Sequence, residues 1–408
     1  MSTGAIKSTE LAIDGGEPLR TESLPPWPVF SAEEIAAASE VLSSGRVNYW
    51  TGEHGRAFEH EFAAFVGTRY AVAVSNGTAA LEIALSSLDI GPDDEVIVPA
   101  ATFIATAGAV VRCGATPVIA DVDIRSQCLT AESVEPLLSP RTRAIVVVHL
   151  AGHPAELAEL LRLAEEHDLR LVEDCAQAHG ARYFDESVGG FGDIAAWSFC
   201  QDKILTTGGE GGAITTSDLS LWRRCWEFKD HGVNVSTVRQ PRRGYGFRWL
   251  HDSFGTNARM TEVQSSIGRL QLRKVNDWVS RRQANANALL GVLRELDGIR
   301  VEDPPAHVAH AYYRFYAHVR PEALRDGWDR DRVVAAINAE GIPCAHGGCT
   351  EIYRERAFQR LPGVPESLPV AAHLGGTSLT LPVHSNLDPS DVTDVGRAVV
   401  KVMGEATA

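Results

Sequence analysis

A chain of 408 residues is long enough for two or three structural units. Hydrophobic residues make up 44% and charged residues 22%, which excludes a disordered, collagen-like or coiled-coil protein. Acidic side chains number 53 against 38 basic ones, a formal charge of −15, and that field repels polyanions, so nucleic acid is not an expected partner.

No apolar run reaches the ~18 residues of a membrane span. Met1 to Gly16 lacks the basic-then-apolar order of a signal peptide. A cytoplasmic protein without membrane contact is expected. Seven cysteines, Cys113, Cys128, Cys175, Cys200, Cys225, Cys344 and Cys349, form no C-x-x-C pair. They read as buried reduced thiols, with neither a disulfide framework nor a metal site.

In chain order, residues 1–30 read as an arm, because the Pro25-Pro26-Trp27-Pro28 cluster cannot sit inside a helix. Ser31 opens a helix, with Glu34 completing a capping box and Gly45 closing it. From Tyr70 to Thr216, short apolar runs alternate with helical patterns. The runs are Tyr70–Val74, Glu95–Val98, Thr116–Ala120, Ala144–Val148, Leu169–Val172, Ala195–Phe199 and Ala213–Thr216. Apolar runs without polar alternation predict strands covered on both faces, hence an α/β fold with a mostly parallel sheet sandwiched by helices. The spacing then predicts a long helical stretch over Val263–Val279, continuing from Arg281 towards Leu296. Shorter pieces such as Tyr312–Val319 and Asp331–Glu340 complete a smaller α+β unit. The expected division is an arm over 1–30, a large domain over 31–273 and a small domain over 274–408.

Ligands of open parallel sheets bind outside the carboxyl ends of the strands. Three motifs fall there. Ser75-Asn76-Gly77-Thr78 is either a phosphate cradle, with Gly77 permitting close approach and Thr78 opening a helix, or a plain strand-to-helix turn. Asp174 ends a buried strand. It wants a cationic partner such as a protonated ring nitrogen, or it accepts backbone N–H bonds as a helix cap. Lys203 follows the strand ending near Phe199 and precedes Gly208–Gly212. Lysine is scarce: the others are Lys7, Lys229, Lys274 and Lys401, in the arm, in expected surface helices or near the C-terminus. Lys203 is either an ordinary paired lysine or an amine that attacks a carbonyl, a role arginine cannot fill.

A phosphate cradle, an acid for a ring nitrogen and an amine for an aldehyde are together what pyridoxal 5′-phosphate (PLP) requires. The ordered motifs resemble the DegT/StrS-type sugar aminotransferases of the aspartate aminotransferase superfamily, fold type I. The resemblance runs through Trp50-Thr51-Gly52, Ser75–Ala80, Pro99–Thr106, Glu173–Gly180, Ser198–Gly212, Asn257–Glu262 with Gln264, and Gly268 with Gln271-Leu272.

That resemblance implies roles. Lys203 would bond the cofactor aldehyde and Asp174 would pair with the pyridinium nitrogen. Gln177 would reach the phenolic oxygen, and Phe103 would stack on the ring. Gly77, Thr78 and Ser198 would hold the phosphate. Asn257 would reach the phosphate of a neighbouring subunit, which implies a homodimer with shared active sites. For Phe103 a core aromatic remains open, and for Asn257 a helix cap.

The implied reaction moves an amino group from glutamate or glutamine, through pyridoxamine phosphate (PMP), to a keto sugar, nucleotide-linked in many members. The product would serve amino-sugar, antibiotic or surface-polysaccharide biosynthesis. His346 stands where many members carry a substrate motif, but Gly347 replaces a large residue and no proline follows. A free ketocyclitol therefore remains in contention, supported by the arm Leu11–Arg20. His384 is the other candidate substrate contact. Dehydration is disfavoured because Lys203 is retained. A dehydrogenase is disfavoured because no G-x-G-x-x-G follows the first strand. A PLP-binding regulator without turnover is the distant alternative.

Overall fold

Seven strands form the central sheet of the computed structural model, which describes residues 10–241 and 246–407. They are β1 (Tyr70–Val74), β2 (Glu95–Pro99), β3 (Thr116–Ala120), β4 (Thr142–Val148), β5 (Arg170–Asp174), β6 (Ile194–Ser198) and β7 (Gly212–Thr216). Their spatial order is β1-β7-β6-β5-β4-β2-β3. β7 runs antiparallel to both its neighbours, and the remaining pairs are parallel. A strand alternates its side chains between two faces. Ile145 and Val147 accordingly join one buried core, and Ala144 and Val146 the other. Both faces are dry because helices such as Gly77–Ser87 and Leu157–Glu166 cover them.

The first helix, Ala32–Ser44, has the expected capping box at Ser31 and Glu34, and Gly45 ends it in a left-handed conformation. After Thr261 the fold departs from the expected single stretch. Two helices form, Glu262–Leu272 and Val275–Leu293, separated at Arg273-Lys274. Neither glycine nor proline marks this break. Long-range contacts hold it instead: Gln271 accepts the Thr206 N–H at 2.9 Å, and Lys274 reaches Glu34 at 3.2 Å and the Ser31 hydroxyl at 3.1 Å.

A second sheet contains Ile299–Arg300, Phe315–Val319, Ser378–Leu381 and Ala345–His346. Its core draws Leu289 and Leu293 from one helix and Val395, Val399 and Val402 from the C-terminal helix Pro389–Ala406. The arm seats on this core through Leu11. Glu340 accepts the N–H groups of Ala12 and Leu19, each at 2.9 Å, and Arg20 pairs with Asp391 at 2.9 Å. The first nine residues, with Lys7, lie outside the described ones.

Two sequence readings need correction. Lys229 is not on a surface: it is 0% exposed, lying over the rings of Tyr49 at 4.0 Å and Trp226 at 4.6 Å. Lys401 is buried too, paired with Glu340 at 2.8 Å. A lysine's long apolar stem lets it enter a core when a charge or an aromatic face receives its end, so helix membership alone did not place it outside. Among the cysteines, all free, Cys349 is exposed and Cys113 and Cys200 are half-buried, against the expectation of burial.

Burial depresses His179 and His318 to about 3 and His384 to about 4, and it lowers His153 and His310 as well. In the unfolded chain they titrate near 6.5. Between those limits the unfolded state binds more protons, so stability falls as pH falls. The melting temperature is expected to drop from pH ~6.5 to ~4, and His318→Gln to lessen the drop. A melting temperature constant across that window would contradict this.

Candidate active site

The carboxyl ends of β1, β2, β4, β5 and β6 share one edge of the sheet. They deliver Asn76-Gly77-Thr78, Phe103, His149–Ala151, Asp174 with Gln177, and Ser198 with Lys203 to one place. Every candidate taken from the central sheet therefore meets there.

Asp174 is buried. Its Oδ2 accepts from the Thr106 hydroxyl at 2.9 Å, and its Oδ1 from the Ala176 N–H at 3.1 Å. Thr106 is in turn bonded to the Thr102 hydroxyl at 2.7 Å. Burial pushes the Asp174 carboxyl up, and the Ala176 N–H, the Thr106 hydroxyl and the Lys203 charge offset only part of that. No helix follows directly, so the capping alternative reduces to one backbone N–H. Among the described residues no arginine or lysine closes an ion pair with it. A buried acid so placed gains most from a cation brought by a ligand.

Lys203 sits in the turn after β6. Its Nζ lies 4.6 Å from the centre of the Tyr313 ring, and its charge is felt at Asp174, Asp202 and His179. Its backbone is clamped on both sides: the N–H donates to the Cys200 carbonyl at 3.1 Å, and the carbonyl accepts the Trp27 indole N–H at 3.0 Å. The following turn is fixed by buried Thr206, whose hydroxyl donates to the Phe199 carbonyl at 3.1 Å.

Gln177 accepts the Ala151 N–H on Oε1 at 2.7 Å. That bond orients the amide, leaving the Nε2 hydrogens as donors, the polarity a phenolic oxygen requires. Ala151 holds the left-handed region at φ 56°, a strained position for alanine. Beneath it, His149 and Glu173 form a fully buried pair at 3.0 Å. His149 Nδ1 accepts from the Ala155 N–H, so its Nε2–H donates to Glu173. Burial alone would raise Glu173, yet His149 and the N–H groups of Gly192 and Gly189 outweigh it and hold the carboxyl below its usual range. His149, Glu173 and Cys175 lie close enough to hold a metal. The Glu173 oxygens are already committed to His149, Gly189, Phe191 and Gly192.

The cradle lies between β1 and β6. Asn76 caps the helix Gly77–Ser87 by accepting the Ala79 N–H. A Cβ at Gly77 would stand 2.6 Å from the Ser198 Cβ, so only glycine admits this approach of helix start and serine. Free N–H groups at a helix start, with the hydroxyls of Thr78 and Ser198 beside them, suit a phosphate. Phe103 is 67% exposed at the same edge, which argues against the core-aromatic alternative. Acid, donor amide, open ring face, cradle and lysine all fit PLP.

The other candidates separate. Asn257 is exposed in an extended segment bridged to Asp230, and Thr261 is the cap of the next helix. The helix-cap alternative for Asn257 is thereby overturned, because the chain stays extended for three more residues. His384 lines a cavity of about 280 Å³ with Trp27, Asp202 and Tyr313, next to Lys203. His346 is exposed and lines a different cavity of about 490 Å³ with Arg330, Arg354 and Ser378.

Sequence reading missed Thr106, Ala151, Tyr313 and Trp27 as members of the site. Thr106 ends the Pro99–Thr106 motif and so had a signal. Ala151 lies in the turn after β4, and the others come from the arm and from the segment before Phe315–Val319, so only tertiary folding brings those in. The motifs Trp50-Thr51-Gly52 and Glu262 form a joint instead: buried Glu262 accepts the N–H groups of His54 at 2.6 Å and Gly55 at 2.9 Å, capping the helix His54–Val66.

A mostly parallel seven-stranded sheet that gathers a lysine, a buried acid and an anion cradle at its carboxyl edge defines an aminotransferase of fold type I. The DegT/DnrJ/EryC1/StrS aminotransferase family matches residues 28–400, and the chain belongs to it. A solved aminotransferase from Psychrobacter cryohalolentis is similar at 47% identity and a TM-score of 0.91, covering 94% of this chain and 99% of that one. An L-glutamine:2-deoxy-scyllo-inosose aminotransferase of Micromonospora echinospora is 36% identical over 97% of this chain and 98% of its own. A dTDP-3-amino-3,4,6-trideoxy-alpha-D-glucose transaminase of Streptomyces venezuelae is 37% identical over 88% of each.

Proposed function

We propose that this enzyme transfers an amino group from glutamate or glutamine to the ketone of a nucleotide-linked sugar, using PLP. The observation that carries this reading is the convergence of Lys203, Asp174 and Phe103 on one edge of the sheet. The setting is amino-sugar, antibiotic or surface-polysaccharide biosynthesis in the cytoplasm. Bound at this edge, PLP supplies an aldehyde that condenses with amines and a protonated ring that accepts the electron pair released at the donor's α-carbon.

The chain's residues do the rest. Thr78, Ser198 and the N–H groups from Gly77 onward bind the phosphate. Phe103 covers the ring face and excludes water. Gln177 donates to the phenolic oxygen. Asp174 keeps the proton on the ring nitrogen, an interaction that strengthens as charge develops and therefore accelerates the reaction. Lys203 would hold the aldehyde end of the group, and its Nζ, once free, would be the base that takes the proton from the donor's α-carbon and the acid that gives it back. Asn257, exposed and extended, serves the phosphate of a second subunit in a homodimer with shared active sites. An arm over 1–30, a large domain over 31–273 and a small domain over 274–408 fit this reading, supported by the separate second sheet and its core.

The cavity beside His346, with Arg330 and Arg354, supports a nucleotide-bearing substrate. A second reading, a free ketocyclitol such as an inosose, is favoured by the Micromonospora relative, whose match takes in 97% of this chain. A half-reaction screen separates them. Glutamate or glutamine should abolish the visible band of the PLP enzyme. The PMP form is then mixed with nucleotide-linked keto sugars and ketocyclitols, and the productive ketone restores the band. A band unmoved by either donor overturns turnover and leaves the regulator.

A further inference from the structure

The Thr106 hydroxyl serves a residue far from its own helix. It stands in the first turn of the helix Ala105–Arg112, where a threonine hydroxyl ordinarily bonds back to a carbonyl three or four residues earlier. Here it donates to Asp174 Oδ2 at 2.9 Å, 68 positions along the chain. A hydroxyl has one hydrogen to give. That of Thr106 is committed to the acid, so in the 2.7 Å bond between Thr102 and Thr106 the hydrogen belongs to Thr102. The result is a one-way chain of two buried hydroxyls, Thr102 to Thr106 to Asp174. Its start is fixed from outside. The Thr102 N–H donates to the Cys349 carbonyl at 3.1 Å, and the Ala100 carbonyl accepts the Ile352 N–H at 3.1 Å. Both ties come from the stretch that follows Ala345–His346 of the second sheet.

A chain running in this direction suits an ionised acid. A hydroxyl that itself accepts a hydrogen bond is a stronger donor, and a donated bond favours the charged carboxyl over the neutral one. A proton on Oδ2 that pointed at Thr106 would turn the chain round, and Thr102 Oγ1 has no other hydrogen-bond partner among the described residues to take the displaced hydrogen. Burial pushes Asp174 the other way, and Thr106 is among the groups that oppose it. The only other bond Asp174 accepts among the described residues is the Ala176 N–H on Oδ1 at 3.1 Å. Lone pairs therefore remain on both oxygens for a ring N–H.

We infer that Thr102 and Thr106 are positioning residues whose hydroxyl chain holds Asp174 ionised and oriented, so that the proton stays on the cofactor's ring nitrogen and not on the acid, an inference that rests on the PLP reading of Asp174. The backbone ties from Cys349 and Ile352 keep the first hydroxyl in register with the second.

The acid itself is the first readout. In the whole enzyme freed of cofactor and carrying isotope-labelled aspartate, the Asp174 carboxyl is identified by the signal missing from Asp174→Asn and is titrated by nuclear magnetic resonance. Thr106→Val keeps the branched shape and removes the hydroxyl, and its Asp174 is expected to titrate about one pH unit or more above wild type. Thr106→Ser restores the wild-type midpoint, because it returns the donor. Thr102→Val shifts it part of the way, since Thr106 keeps its bond to the acid but loses the donor behind it. Loaded with PLP, Thr106→Val should slow both half-reactions by about 10-fold at unchanged KM, because the ring nitrogen serves both. A wild-type midpoint in Thr106→Val, a Thr106→Ser that titrates with Thr106→Val, or slowing of one half alone overturns the assignment. Should Thr106→Val fail to fold, a wild-type midpoint in Thr102→Val overturns it equally. The titration needs no cofactor, so the two failures separate. A wild-type enzyme that forms no visible band with PLP defeats the PLP reading, whereas a normal band with an indifferent Thr106→Val defeats the hydroxyl chain alone.

Discussion

Lys203→Arg is expected to remain folded and to lose the visible band that wild type shows with PLP, with turnover falling by about 10³-fold or more. Arginine keeps a cation over the Tyr313 ring, and the backbone clamps from Trp27 and Cys200 do not depend on the side chain. What it loses is a neutral amine that can bond a carbonyl carbon and carry a proton. Buried Lys229 makes the test sharper, because it is a second sequestered amine, set between Tyr49, Trp226 and Asp230 at 3.7 Å. Borohydride reduction followed by peptide mass analysis should find the cofactor on the peptide carrying Lys203. A reduced adduct persisting in Lys203→Arg would eliminate this lysine.

Asp174→Asn should keep one of the two accepted hydrogen bonds, since an amide oxygen can still accept from the Thr106 hydroxyl or the Ala176 N–H. The charge that holds a proton on a ring nitrogen is gone. Turnover is expected to fall by about 10²- to 10³-fold while some cofactor is retained. Single-turnover measurement of the donor half-reaction checks this, because proton removal at the α-carbon depends most directly on the ring as an electron acceptor. Near-normal rates would refute the role given to Asp174.

Much of the central sheet was legible in the sequence because its strands are short apolar runs between strong turn signals, and Thr116–Ala120 falls at its observed bounds. The residues at the strand ends were legible for the same reason: a polar or glycine residue after a buried strand has few places to go. Illegible were features that depend on partners far along the chain. Trp27 meets the Lys203 carbonyl 176 positions away, and a proline-rich arm carries no signal of where it lands. The break at Arg273-Lys274 follows from Gln271 meeting Thr206, not from local propensity. Lys229 looked like a surface residue because a ten-residue helix pattern does not reveal which aromatic faces wait beneath it. His346 and His384 were one guess and occupy two cavities, since the second sheet, not the motif spacing, aims them.

The seating of Leu11–Arg20 has a consequence for how the protein is made. The segment's partners are Glu340, Asp391 and Asp394, residues that leave the ribosome more than 300 positions after it. The first described stretch to be synthesised is therefore among the last to settle, waiting on contacts of very high sequence separation. A nascent chain would assemble its central sheet while the indole that braces Lys203 is still unanchored, and catalytic competence would arrive as a late, separate event in maturation.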